Sequence, residues 1–124
     1  MLARVIHFGP DDCHRLKVLQ SAGYMVEDCH SLPQLRMILE TGDEPAAVLM
    51  SDGDGVSPLE AITVARAHSP NPVILFRSTN IAYDEAGIDL VVPCLTPPEV
   101  WLSDVDTLIE RTRASRGLAV PVLK

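Results

Sequence analysis

Ala46-Ala47-Val48-Leu49-Met50-Ser51-Asp52-Gly53-Asp54 is an apolar run that stops at a small polar residue and two carboxylates. Asp52 and Asp54 alternate with Gly53 and Gly55, so a turn follows at once. A buried strand that delivers carboxylates to its C-terminal end is how an open parallel sheet builds a site, because ligands collect outside the carboxyl ends of the strands. Asp in a glycine-rich turn also has a plainer use, hydrogen bonding to its own backbone. Asp52 and Asp54 are open to either use.

The rest of the chain repeats the pattern. Arg4 to Phe8 reads as a first strand, closed by Gly9-Pro10. Asp12 suits the cap of a helix running to Ser21, and Gly23 ends it. Tyr24 to Asp28 reads as a second, more exposed strand. Ser31-Leu32-Pro33-Gln34 is a capping box before a helix that ends at Gly42. Ala46 to Met50 is the third strand, and Ser57-Pro58-Leu59-Glu60 is a second capping box. Pro72 to Phe76 and Leu90 to Val92 are the fourth and fifth strands. Thr96-Pro97-Pro98-Glu99 is a third box, opening a last helix to about Arg113. Continuous aliphatic strands with helices between them imply an α/β fold with a parallel sheet covered on both faces.

Composition narrows the function. A chain of 124 residues suits one domain, expected over 1–114, with an apolar tail over 115–124. Aromatics are 4%, so the core is aliphatic. The net charge of −7, from 17 acidic and 10 basic residues, argues against non-specific nucleic-acid binding. No apolar run approaches a membrane span, and the N-terminus lacks an export pattern. Three cysteines, Cys13, Cys29 and Cys94, are odd in number and far apart, which points to a reduced, cytoplasmic protein. Cys13-His14 and Cys29-His30 lack the ligand gap of structural zinc sites, so no metal is expected there. His7, inside an apolar strand, reads as a hydrogen-bonded core histidine. No nucleophile elbow, phosphate loop or dinucleotide fingerprint is present, and no enzyme is expected.

Taken together, these residues resemble the receiver domain of two-component response regulators. The resemblance rests on Ala22-Gly23-Tyr24 before strand two and Val48-Leu49-Met50 before an acidic turn. Pro72-Val73-Ile74-Leu75, Ala86-Gly87 before strand five and Pro97-Pro98-Glu99 after it complete the series. It covers about residues 3–113. It implies a flavodoxin-like (βα)5 sandwich with sheet order 2-1-3-4-5. It also implies a phospho-accepting Asp after strand three, an acidic pair holding Mg²⁺ after strand one, a Ser or Thr after strand four and a Lys after strand five.

Carried over residue by residue, most of that equipment is absent. The acidic-pair positions are Gly9 and Pro10, with Asp11 and Asp12 coming later. The phospho-acceptor position falls on Met50 or Ser51, with Asp52 late. The hydroxyl position is Arg77, followed by Ser78 and Thr79, and the Lys position is Pro93, followed by Cys94. The segment from Arg77 to Leu90 is short, so the fourth helix is shortened. An aspartyl phosphate carries about two negative charges. Like charges at ~4 Å repel by ~4 kcal/mol at an effective dielectric of about 20, which Mg²⁺ and a cationic side chain normally offset. The expectation is a pseudo-receiver that signals by protein–protein contact in two-component or phosphorelay-type transduction, with no cofactor. The alternative is a phosphorylatable receiver using Asp52, with Mg²⁺ at Asp11, Asp12 and Asp52 and Asp54 nearby.

Two further expectations concern cations and surfaces. Arg77 emerges beside strand three, within reach of Asp52 or Asp54. It either fills the acidic pocket as a permanent lock or extends into solvent, where an exposed pair is worth only ~0–1 kcal/mol. Trp101, Val105, Leu108 and Thr112 make one helical stripe facing the sheet, and Val100 falls outside it. Val100 with Leu118, Val120 and Val122 of the tail forms the expected interaction surface. The expected partners are signalling proteins or a second copy of the chain, with no nucleic acid and no membrane. For the tail, a strap packed on its own domain is the other reading.

Overall fold

The computed structural model describes residues 3–11, 14–42, 44–52, 58–68, 71–77, 88–93 and 95–115. Among these residues, five strands form one sheet: β1 (Arg4–Phe8), β2 (Met25–Cys29), β3 (Ala47–Ser51), β4 (Val73–Arg77) and β5 (Leu90–Pro93). Every pairing is parallel, and the order is β2-β1-β3-β4-β5. Among the described residues, four helices accompany them: α1 (Arg15–Ser21), α2 (Leu32–Thr41), α3 (Leu59–His68) and α4 (Pro98–Ser115). This is the expected flavodoxin-like arrangement. The segment assigned to a shortened fourth helix, 78–87, lies outside the described residues, as do Ser57 and the tail from 116.

The sheet separates two apolar layers because successive side chains on a strand point to opposite faces. Ile6, Phe8, Val48, Met50, Val73 and Leu75 pack with Leu35 and Leu39 of α2 and with Ala61, Ile62, Val64 and Ala65 of α3. Val5, Ala47, Leu49, Ile74, Phe76 and Val92 pack with Leu19 of α1 and with Trp101, Val105 and Ile109 of α4. Strands β1, β3 and β4 are buried on both faces, which is why they are aliphatic rather than alternating. β2 lies at an edge and is the more exposed strand, as its mixed sequence predicts.

Helix ends follow local chemistry, with some corrections. Ser31 caps α2: its hydroxyl accepts from Gln34 N–H at 3.2 Å, while the Gln34 side chain accepts from His30 N–H at 3.0 Å. Gly23 (φ 100°) ends α1, with Tyr24 N–H on Leu19 C=O and Gly23 N–H on Gln20 C=O closing a Schellman motif. The start of α1 differs from expectation. The N-cap position is His14, in a left-handed conformation without a capping side chain, and the helix begins at Arg15. Thr96 is not a cap either: α4 begins at Pro98, and the Thr96 hydroxyl donates back to Pro93 C=O at 2.7 Å. Two consecutive prolines move the helix start, because the residue before a proline avoids the helical region.

The buried stripe of α4 is Trp101, Val105 and Ile109, with Leu108 and Thr112 only partly buried beside it. An i, i+4, i+8 line drifts slowly around a helix of 3.6 residues per turn, so Ile109 takes the inward position expected of Leu108. Two strand bounds also shift. β3 includes Ser51 and β4 includes Arg77, because the ladder continues through the pair Ser51–Phe76 and on through Arg77–Pro93. Ser31→Ala is expected to lower stability by about 1 kcal/mol, read as a reduced urea midpoint at unchanged slope.

Candidate functional site

The C-terminal edge of the sheet is built first by a close approach. Gly9 follows β1 with φ 102°, and a Cβ there would lie 2.8 Å from the Ser51 carbonyl oxygen. Only glycine lets the exit of β1 run this close to the end of β3. Pro10 and Asp11 then turn the chain toward α1. The Asp11 carboxylate accepts from the amides of Arg15 at 2.6 Å and Leu16 at 3.3 Å. Asp11 therefore does the capping work expected of Asp12, which lies outside the described residues.

Arg15 is the group that the sequence reading missed. It opens α1 and is only 5% exposed. Its Nη2 donates to Ser51 Oγ at 2.9 Å and to Pro10 C=O at 3.0 Å. The guanidinium carbon sits 4.5 Å from the centroid of the Phe76 ring, a cation–π contact. Phe76 in turn meets Trp101 edge-on, with centroids 5.0 Å apart and planes at 83°. A signal was present in the sequence: Arg15 stands four residues before Leu19, and both are buried on one face of α1.

The remaining candidates are distributed as follows. Asp52 follows β3 and is 2% exposed. Arg77 ends β4, half-buried, paired with Pro93 and one residue beyond the Ser51–Phe76 pair. Asp54, Leu118, Val120 and Val122 lie outside the described residues. Val100 is 47% exposed on the first turn of α4, close in sequence to Leu95 at 87%. Among the described residues, no three carboxylate, imidazole or thiol groups gather in a way that would hold a metal ion.

His7 is a hydrogen-bonded core histidine, as its strand context suggests. Its Nδ1 lies 3.2 Å from Asp28 Oδ1, and Asp28 Oδ2 lies 2.9 Å from Nε2 of the exposed His30. Burial lowers the His7 pKa from 6.5, outweighing the opposing Asp28 hydrogen bond; the Arg15 charge lowers it further. Burial also pushes the Cys29 thiol up to about 12, aided by the charges of Asp28 and Glu27. Its sulfur donates to His7 C=O at 3.5 Å.

No protein-family model and no curated protein matches the chain. Solved structures do match in shape. The N-terminal domain of a response regulator/sensory box/GGDEF three-domain protein from Carboxydothermus hydrogenoformans is 18% identical at a TM-score of 0.74, covering 90% of this chain and 98% of that one. A chemotaxis response regulator of Vibrio cholerae is 15% identical at 0.69, covering 87% and 99%. An adenylate cyclase structure from Rhodopirellula baltica is 15% identical at 0.76, covering 94% of both chains. The domain has the receiver fold. Identities this low carry the fold alone, and the site must be argued from its own residues.

Two outcomes follow from the buried groups. The His7 pKa is depressed in the folded state, so the unfolded chain binds the proton more readily. Stability is therefore lost as pH falls below 6.5 toward the folded-state pKa. His7→Gln should remove that part of the pH dependence, measured as the difference between the two proteins' urea midpoints across the acid range. Cys29 should stay unmodified by a thiol reagent at mildly alkaline pH in the native protein and react on unfolding, as mapped by peptide mass.

Proposed function

We propose that this receiver-like domain acts in two-component or phosphorelay-type signalling by binding other signalling proteins, without accepting a phosphoryl group. One observation carries the reading. A guanidinium is already seated at the end of β3, bonded to Ser51 Oγ and Pro10 C=O and stacked on Phe76. This edge is where a receiver forms its aspartyl phosphate and binds Mg²⁺. Here Gly9 and Pro10 stand at the acidic-pair positions, and Asp11 is turned to capping α1. Pro93 stands at the lysine position, so β5 has no ammonium to answer a phosphorylated β3.

Protein contact is assigned to the start of α4, where Leu95 and Val100 expose apolar surface. Leu118, Val120 and Val122 of the tail extend the proposal, and a second copy of the chain is one partner it admits. Arg77, ending β4 beside Arg15's strand partners, adds a second cation to the same edge. No catalytic role is proposed for any residue.

The deciding experiment is incubation with a small phospho-donor and Mg²⁺, followed by intact mass under denaturing conditions. The expected result is an unchanged mass. A stable phosphoryl increment that disappears in Asp52→Asn would replace this reading with that of a phosphorylatable receiver.

A further inference from the structure

The side of α4 nearest α1 carries an open track. Pro98, Leu102, Asp106, Ile109 and Arg113 follow one another at spacings of four, four, three and four, which is one line along a helix. Near the start of α4 this line borders a groove of about 580 Å³ against α1. Val18, Ala22, Pro98 and Leu102 line it, with the charges of Lys17 and Glu99 beside them. Toward the end of α4 the line borders a second hollow of about 120 Å³, where Tyr24 and Ile109 meet Asp106 and Arg113. Val18, Ala22 and Leu102 pack on the core and are still only partly buried.

The sequence that follows α4 has the length and the pattern to fill this track. α4 ends at Ser115, just past Arg113. Gly117 is the residue type that reverses a chain after a helix. Beyond it, Leu118, Val120 and Val122 alternate with Ala119, Pro121 and Leu123, and Pro121 favours an extended backbone at Val120. Two extended residues rise about 6.6 Å and four helical residues about 6 Å, so alternate side chains keep step with the line on α4. Counted from Gly117, Val120 comes level with Ile109 about 10 Å along, and Lys124 with Glu99 about 23 Å along. A cation thus arrives where the groove carries a carboxylate.

We propose that Leu118, Val120 and Val122 of this chain occupy the groove between α1 and α4 as an extended strap, with Lys124 paired to Glu99. The strap runs back along α4 from its end to its start. Its inner residues cover Val18, Ala22 and Leu102, and Ala119, Pro121 and Leu123 face outward. This route brings a segment that leaves α4 about 22 Å beyond Val100 to a contact surface at the start of that helix. The inference rests on the reading of that surface and gives the tail its place in it. The two fail separately, because the strap is read on the chain alone, with no partner and no phospho-donor present.

The test records nuclear Overhauser contacts of the full chain in dilute solution, and repeats them on a mixture of two differently labelled samples. The expected contacts run from Val120 to Tyr24 and from Val122 to Leu102 or Ala22, within one chain. The mixture should show no such contact between chains. Val120→Asp combined with Val122→Asp should abolish the contacts while the Ile74 and Leu75 methyl signals of the core stay in place, because a carboxylate on the strap's inner face forfeits apolar burial. Should that variant not fold, the wild-type contacts and the mixed sample carry the test. Any one of three results overturns the strap: no contact between residues 118–122 and the groove, contacts only between differently labelled chains, which would give the groove to a second copy, or contacts that survive the double substitution.

Discussion

A guanidinium enclosed at the end of a parallel sheet depends on the few groups that reach it, because its N–H donors cannot turn to bulk water. Arg15 is met by a hydroxyl, a carbonyl and an aromatic face, from β3, the turn after β1, and β4. Each partner is set by something else. Ser51 is in reach because the Gly9 backbone closes against β3 without a side chain between them. Pro10 C=O is presented by the same turn. Phe76 is steadied from behind by Trp101. One side chain thus ties α1, β1, β3, β4 and α4 together at the edge where such folds place their chemistry.

The two faces of the sheet are unequal as a result. On the α2 and α3 side an aliphatic cluster runs from Ile6 and Phe8 to Leu39 and Ala65. The α1 and α4 side carries a polar inset of His7, Arg15 and Ser51 within otherwise aliphatic packing. A chain of groups runs from the inset to the surface, from His7 through Asp28 to the exposed His30. Buried polar groups of this kind cost stability unless satisfied, and they confine the neighbouring strands to one register where they are.

Much of the architecture was legible in the chain. Runs such as Val48-Leu49-Met50 and Val73-Ile74-Leu75 announce strands covered on both faces, and Ser31 and Gly23 mark helix ends through side-chain and backbone chemistry that acts within a few residues. Strand bounds were misplaced where a neighbour in space decides the matter, and two helix positions where local geometry shifts them. Ser51 and Arg77 belong to strands because β3 and β4 continue to pair there. Thr96 loses its capping role to a proline pair, and Ile109 faces inward because of the drift of a long helix.

The site divides along the same line. The sequence by itself puts Gly9 and Pro10, followed by Asp11 and Asp12, after β1, and Pro93 at the end of β5. It also brought Asp52 to the end of β3. That Arg15 sits at that edge was decided only by tertiary structure. It is 36 residues from Ser51 along the chain, yet its guanidinium is bonded to the Ser51 hydroxyl. Spacing from Leu19 puts Arg15 on the inward face of α1, but nothing in the sequence names the groups it meets there. Its environment is made by three other elements converging on it, and that convergence exists only after the sheet has formed.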